Sequence, residues 1–100
     1  FYHNALGFDK IVWSYPGALF VSAGGYHHHL GLNAWAAGSR SAGEGDARLL
    51  EWEIVLPTAA DVDAALQSLS SAGVAVTKDG GGLVARDPWG TQLRIIFAEQ

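Results

Sequence analysis

The chain has no cysteine. A disulfide framework, a thiolate nucleophile and a thiolate zinc site are therefore excluded, and any metal must be held by nitrogen and oxygen ligands. Charge is also scarce: 16% of the 100 residues are Asp, Glu, Lys or Arg, and none of these lies between Lys10 and Arg40. That uncharged stretch is broken by Pro16, Gly17, Gly24, Gly25 and three histidines, so it never supplies the ~20 consecutive apolar residues of a spanning helix. It reads instead as several covered strands separated by turns. Basic residues are outnumbered 6 to 10 by acidic ones, for a net charge of -4, the wrong sign for non-specific attraction to nucleic acid. The start of the chain lacks the basic-then-apolar layout of a signal peptide. The expectation is a soluble, cytoplasmic protein that engages neither membrane nor nucleic acid. What is abundant is apolar material, 49% of residues, enough for one core and one domain.

Phe1, Tyr2, Ala5 and Leu6 fall at helical spacing and Gly7 stands where a left-handed cap belongs. The chain opens inside a helix without an initiator Met, so a segment upstream is expected. Phe8–Tyr15 and Ala18–Ser22 read as strands around a Pro16-Gly17 turn, and Gly24-Gly25 closes a second turn. Tyr26–Asn33 reads as a third strand, with His27, His29, Gly31 and Asn33 on one face and Tyr26, His28, Leu30 and Leu32 on the other. Residues 39–48 are rich in Gly, Ser and Ala without apolar period and read as a linker between a first module, 1–38, and a second, 49–100. In Leu49–Leu56 the apolar Leu50, Trp52, Ile54 and Leu56 alternate with Glu51, Glu53 and Val55. Thr58 and Asp61 form a capping box for a helix whose Val62, Ala65, Leu66 and Leu69 share a face, ending at Gly73. Leu66 and Leu69 are expected to pack on Trp52 and Ile54. Val74–Lys78, Gly82–Arg86 and Thr91–Phe97 complete the module as strands. Asp87-Pro-Trp-Gly90 suits a type I turn, and Gln92, Arg94 and Ile96 share the face opposite Leu93, Ile95 and Phe97.

A duplicated βαβββ order opened by Phe1-Tyr-His-Asn-Ala-Leu-Gly-Phe8 and closed by Asp87-Pro-Trp-Gly90 resembles the vicinal oxygen chelate superfamily of glyoxalases, bleomycin resistance proteins and extradiol dioxygenases. The segment Ala18–Gly38, with His27-His-His29 at its centre, is similar to the C-terminal half of catechol 2,3-dioxygenase-like proteins. The resemblance implies an α+β fold in which paired βαβββ modules form a half-open barrel around a cleft, the first strand of module one being absent from the chain. It also implies a divalent metal, Fe or Mn, that chelates two substrate oxygens. Carried over by position, the metal-ligand places fall near His29, on Glu51 and on Arg94. An arginine ligates no metal, so Arg94 is expected to pair with Glu51 in the metal's stead.

His27 and His29, about 6.6 Å apart on one strand face, can hold one metal together or serve as polar cleft residues; His28 points the other way and reads as a core histidine. Glu51 and Glu53 can converge as a base or ligand pair, or form a solvated face. Gly80-Gly81-Gly82 lacks the Lys-Ser/Thr of a phosphate loop and reads as a hairpin turn. Trp13, Tyr15, Trp35 and Trp52 can stack a planar ring or simply fill the core. The cleft set is His27, His29, Asn33, Glu51, Glu53, Gln92 and Arg94, with His29 and Glu51 as the metal-ligand candidates. Three functions remain open at this point: ring cleavage of a phenolic substrate at a degenerate metal site, metal-free binding of a small planar aromatic or phenolic molecule, and a structural half supporting an active partner. A homodimer is expected, because a sheet short of one strand exposes an edge.

Overall fold

Within residues 1–12, 17–26 and 29–98, which the computed structural model describes, local chemistry accounts for most element boundaries. The chain divides into two units, Phe1–Arg40 and Ser41–Gln100, each described here by itself. In the first, Ala5 N–H donates to the Phe1 carbonyl at 2.9 Å and Gly7 N–H to that of His3 at 3.1 Å. Gly7, at φ +76°, then turns the chain out of this single helical turn. Tyr2, Ala5 and Phe8 are buried, and the Tyr2 and Phe8 rings meet edge to face at 6.2 Å. Strands β1 (Asp9–Val12), β2 (Ala18–Ser22) and β3 (Leu30–Asn33) form an antiparallel sheet in the order β1-β2-β3. Its register pairs Leu19 with Leu32 and Val21 with Leu30 on one face, and Ala18 with Asn33 and Phe20 with Gly31 on the other.

The third strand is shorter than its alternation suggests. Gly24 and Gly25 both take left-handed φ, +69° and +77°, and the Ser22 hydroxyl donates to the Tyr26 carbonyl. Tyr26 is thus held in the turn, half exposed, and the ladder resumes where His29 N–H donates to the Val21 carbonyl at 2.9 Å. Trp13, Tyr15, His27 and His28 lie outside the described residues.

The second unit carries β4 (Glu51–Leu56), α1 (Ala59–Ser71), β5 (Val76–Asp79), β6 (Gly82–Arg86) and β7 (Gln92–Phe97). The sheet order is β4-β7-β6-β5, with β4 parallel to β7 and the other neighbours antiparallel. This is the βαβββ module. Thr58 and Asp61 satisfy each other's backbone N–H groups at the start of α1, at 3.0 and 3.2 Å, so two of the orphan donors at a helix N-terminus have partners. At the other end Gly73 (φ +80°) lets Val74 N–H donate to the Leu69 carbonyl at 3.0 Å, a Schellman closure. That bond uses Val74 as helix cap and delays β5 to Val76. The helix packs on all four strands and buries Val62 and Leu69 with Leu83, Ala85, Leu93 and Ile95. Leu66, expected in the core, is only half-buried, because Val62 and Leu69 point more directly at the sheet. Leu49 and Leu50 precede β4 and are exposed, at 61% and 63%. Among the described residues no helix is long and apolar enough to cross a membrane.

Candidate functional site

Period two places Glu51, Glu53 and Val55 of β4 on the face of the second sheet that α1 leaves uncovered, beside Gln92, Arg94 and Ile96 of β7. Arg94 is the hub of that face. Its Nη1 donates to Asp79 Oδ2 at 2.6 Å, and its Nε lies 3.3 Å from Glu51 Oε1. Glu51 Oε1 also accepts from Gln92 Nε2 at 2.6 Å. Gln92 Oε1 in turn accepts from Arg86 Nη2 at 3.3 Å, and Arg86 Nη1 donates to the Gly90 carbonyl at 2.8 Å. One relay therefore crosses all four strands: Asp79, Arg94, Glu51, Gln92, Arg86. The bond it donates to Asp79 holds the Arg94 guanidinium above its ordinary pKa; partial desolvation works against this and the Glu51 charge adds to it. The pairs are solvent-accessible, so each contributes little to stability alone. Their joint effect is to fix where each charge sits.

At one end of this face a pocket of about 370 Å³ is lined by Val55, Asp79, Gly81, Gly82 and Ile96 with Phe97 and Ala98. Gly82 is obligatory here. A Cβ on it would stand 2.7 Å from the Ile95 carbonyl oxygen and 3.0 Å from Ile96 Cγ2. Directly opposite Asp79 in register, it also puts no side chain between Asp79 and the guanidinium.

In the first unit a pocket of about 470 Å³ is lined by Ala18, Phe20, Gly31, Leu32, Asn33 and Trp35. Asn33 Oδ1 accepts from Trp35 N–H at 3.1 Å, and the Trp35 side chain is 78% exposed. His29 Nδ1 accepts from Ala23 N–H at 3.2 Å, and its ring stands 5.0 Å from that of Tyr26.

The sequence-derived cleft residues belong to both units, and each group is described within its own unit. Glu51, Gln92 and Arg94 come together; Glu53, opposite Arg94 in register, stays outside the relay. Asn33 lines the first unit's pocket, His29 lies beside Tyr26, and His27 lies outside the described residues. Asp79 and Arg86 belong to the relay without having been singled out. The signal for Asp79 was the Gly80-Gly81 turn, which fixes the β5–β6 register and puts Asp79 on the face of Arg94.

These donors do not fit an iron or manganese centre. Glu51 Oε1 is engaged by a guanidinium and an amide, and Arg94 has no lone pair to give. His29, accepting at Nδ1, carries its proton on Nε2 when neutral, so neither nitrogen presents a free lone pair without breaking the bond to Ala23. Among the described residues no three His, Asp or Glu side chains gather as a ligand set.

A family model described as Glyoxalase/Bleomycin resistance protein/Dioxygenase superfamily matches residues 1–95. The catechol-2,3-dioxygenase of Bacillus subtilis (strain 168) is 41% identical over 91 residues, covering 88% of this chain and 32% of that protein. The chain therefore spans about a third of that relative's length. The lactoylglutathione lyase of Agrobacterium tumefaciens matches with a TM-score of 0.65 at 19% identity, over 98% of this chain and 81% of the other. A glyoxalase/bleomycin resistance protein/dioxygenase superfamily member from Sphaerobacter thermophilus DSM 20745 gives 0.61 at 21%, over 98% and 83%. At such identities the structural likeness speaks to fold alone.

Proposed function

The chain belongs to the glyoxalase/bleomycin resistance protein/dioxygenase superfamily, and we propose that within it this chain binds a small planar phenolic molecule without a metal. The observation that carries this reading is the hub of the relay: Arg94 stands at a place where the resemblance puts a metal ligand, and it is bonded to Asp79 and Glu51. A divalent cation at Glu51 would have to meet a fixed positive charge about 3 Å away, an unfavourable contact at any plausible local dielectric. The 41% identity to a catechol-2,3-dioxygenase favours a phenolic ring as ligand. It also supports a second reading, ring cleavage in a longer protein of which this chain is one part.

Calorimetric titration with Mn(II), and anaerobically with Fe(II), separates the two. The wild-type chain is expected to show no stoichiometric binding, whereas Arg94→Glu, which adds a carboxylate beside Glu51 and Asp79, gains at least about tenfold in affinity, or ~1.4 kcal/mol. Stoichiometric binding by the wild type would overturn the metal-free reading. We propose further that the chain pairs with a second copy through the exposed apolar side chains of Leu49, Leu50 and Val55, on and beside strand β4 at the end of its sheet, where they form a contiguous stretch of apolar surface.

A further inference from the structure

We infer that the planar ring is received in the first unit, in the pocket lined by Ala18, Phe20, Gly31, Leu32, Asn33 and Trp35, and that this pocket selects neutral rings over charged ones; the inference rests on the phenolic reading above. Three features converge. The Phe20 ring lies across Gly31: its Cε1 would be 3.3 Å from a Cβ at that position. A side chain at that position would press on the ring, so glycine leaves room for Phe20 as an apolar floor beside the strand. Trp35, 78% exposed although it is the largest side chain in the pocket wall, offers a second aromatic surface with little cost in side-chain entropy on binding. The space of about 470 Å³ exceeds the ~150 Å³ that suffices for benzene and lies within the ordinary range of ligand sites.

The polar groups set the ligand's chemistry. Asn33 Oδ1 is occupied by Trp35 N–H, which fixes the amide orientation and makes Nδ2 the group that can donate to a ligand oxygen. None of the six lining residues carries a charge. A carboxylate or ammonium would lose its hydration there without a counter-charge, whereas a phenol or aryl carbonyl would keep a hydrogen bond and bury its ring.

Titration of the 100-residue chain with phenol, benzoate, cyclohexanol and tetramethylammonium, followed by calorimetry and by protein NMR shifts, tests this. Saturable phenol binding tighter than that of the other three is expected. Trp35→Ala should weaken it about three- to tenfold, the size of an aromatic contact, and Trp35→Phe should recover most of the loss. Gly31→Val should abolish binding while circular dichroism reports an intact fold; because that variant can unfold, the exposed Trp35 pair decides if it does. Phenol binding that survives both Trp35→Ala and Gly31→Val but is lost in Arg94→Gln overturns this site and leaves the phenolic reading standing. Absence of phenol binding in the wild type overturns both. Preference for tetramethylammonium or benzoate overturns the neutral-ring selectivity.

Discussion

Residues 1–40 and 41–100 solve the same packing problem with different surfaces. In the second unit a capped helix covers one face of the sheet, and the apolar alternation of β7 runs clean, Leu93 and Ile95 buried against Gln92 and Arg94 turned outward. Charge is then placed on the outward face and held by register, from Asp79 across to Arg86. Among its described residues the first unit has three strands and a single helical turn, and buries Tyr2, Ala5, Phe8, Val21 and Ser22. Between Lys10 and Arg40 it has no charge to place. Its open face carries Phe20, Gly31 and Asn33. The difference bears on the two tasks proposed above: fixed charge needs strands that pair with little irregularity, because a one-residue slip would turn every carboxylate to the core. A ring-binding surface needs only a bare strand position with an aromatic laid over it.

The largest expected effect tests whether the second unit is the better-packed one. Leu69 is fully buried beneath the sheet, and Leu69→Ala should lower stability by ~2–5 kcal/mol as a cavity-forming truncation. Val21, 1% exposed in the first unit, should cost ~1.5–3 kcal/mol as Val21→Ala, the transfer value of a buried valine. Urea melts of both variants read the ordering, and a larger loss at Val21 would reverse the comparison. Leu66→Ala should fall below Leu69→Ala, since Leu66 keeps part of its surface in water.

The intermediate effect concerns the association proposed along β4 of the second unit. Leu49→Asp removes an exposed apolar side chain beside β4 without touching either core. It should weaken self-association about tenfold or more, the equivalent of ~1.4 kcal/mol. Sedimentation of the wild type at micromolar concentration comes first: a monodisperse monomer there removes the proposed dimer.

What was legible in the sequence was whatever a few neighbouring residues decide. The capping box of Thr58 and Asp61, the Gly73 cap and the turn at Asp87–Gly90 are local chemistry, and the alternation in Glu51–Leu56 and Gln92–Phe97 needs only a period of two. The pairing of Arg94 with Glu51 was legible at one remove, through the resemblance. Asp79 was not, because its place depends on a turn length, a register and a glycine at position 82 acting together over three strands. The start of β3 was misread for a similar reason. Tyr26 continues the alternation of its neighbours, but two left-handed glycines and the Ser22 hydroxyl bind it into the turn instead. Trp35 was noted as a stacking aromatic, whereas Phe20, which lines the same pocket, was hidden until the β2–β3 register set it opposite Gly31.

The smallest effect is the one that best sharpens the contrast between charged and neutral faces. Arg94→Gln keeps a long polar side chain but removes the charge from the relay, and with its pairs exposed the stability change should be smaller than that of either core truncation. Its pH dependence has a defined sign. The folded state, through Asp79 and Glu51, raises the Arg94 pKa above its ordinary value, so the group's contribution is complete below the unfolded value and is lost only as pH climbs past the higher folded one. The difference in melting free energy between wild type and Arg94→Gln should therefore be flat from about pH 7 to about pH 9, and should shrink with added salt as accessible pairs are screened. A difference that changes systematically with pH across that interval would mean that a second titrating group shares the hub, and the relay would then have to include a side chain other than Asp79, Glu51, Gln92 and Arg86.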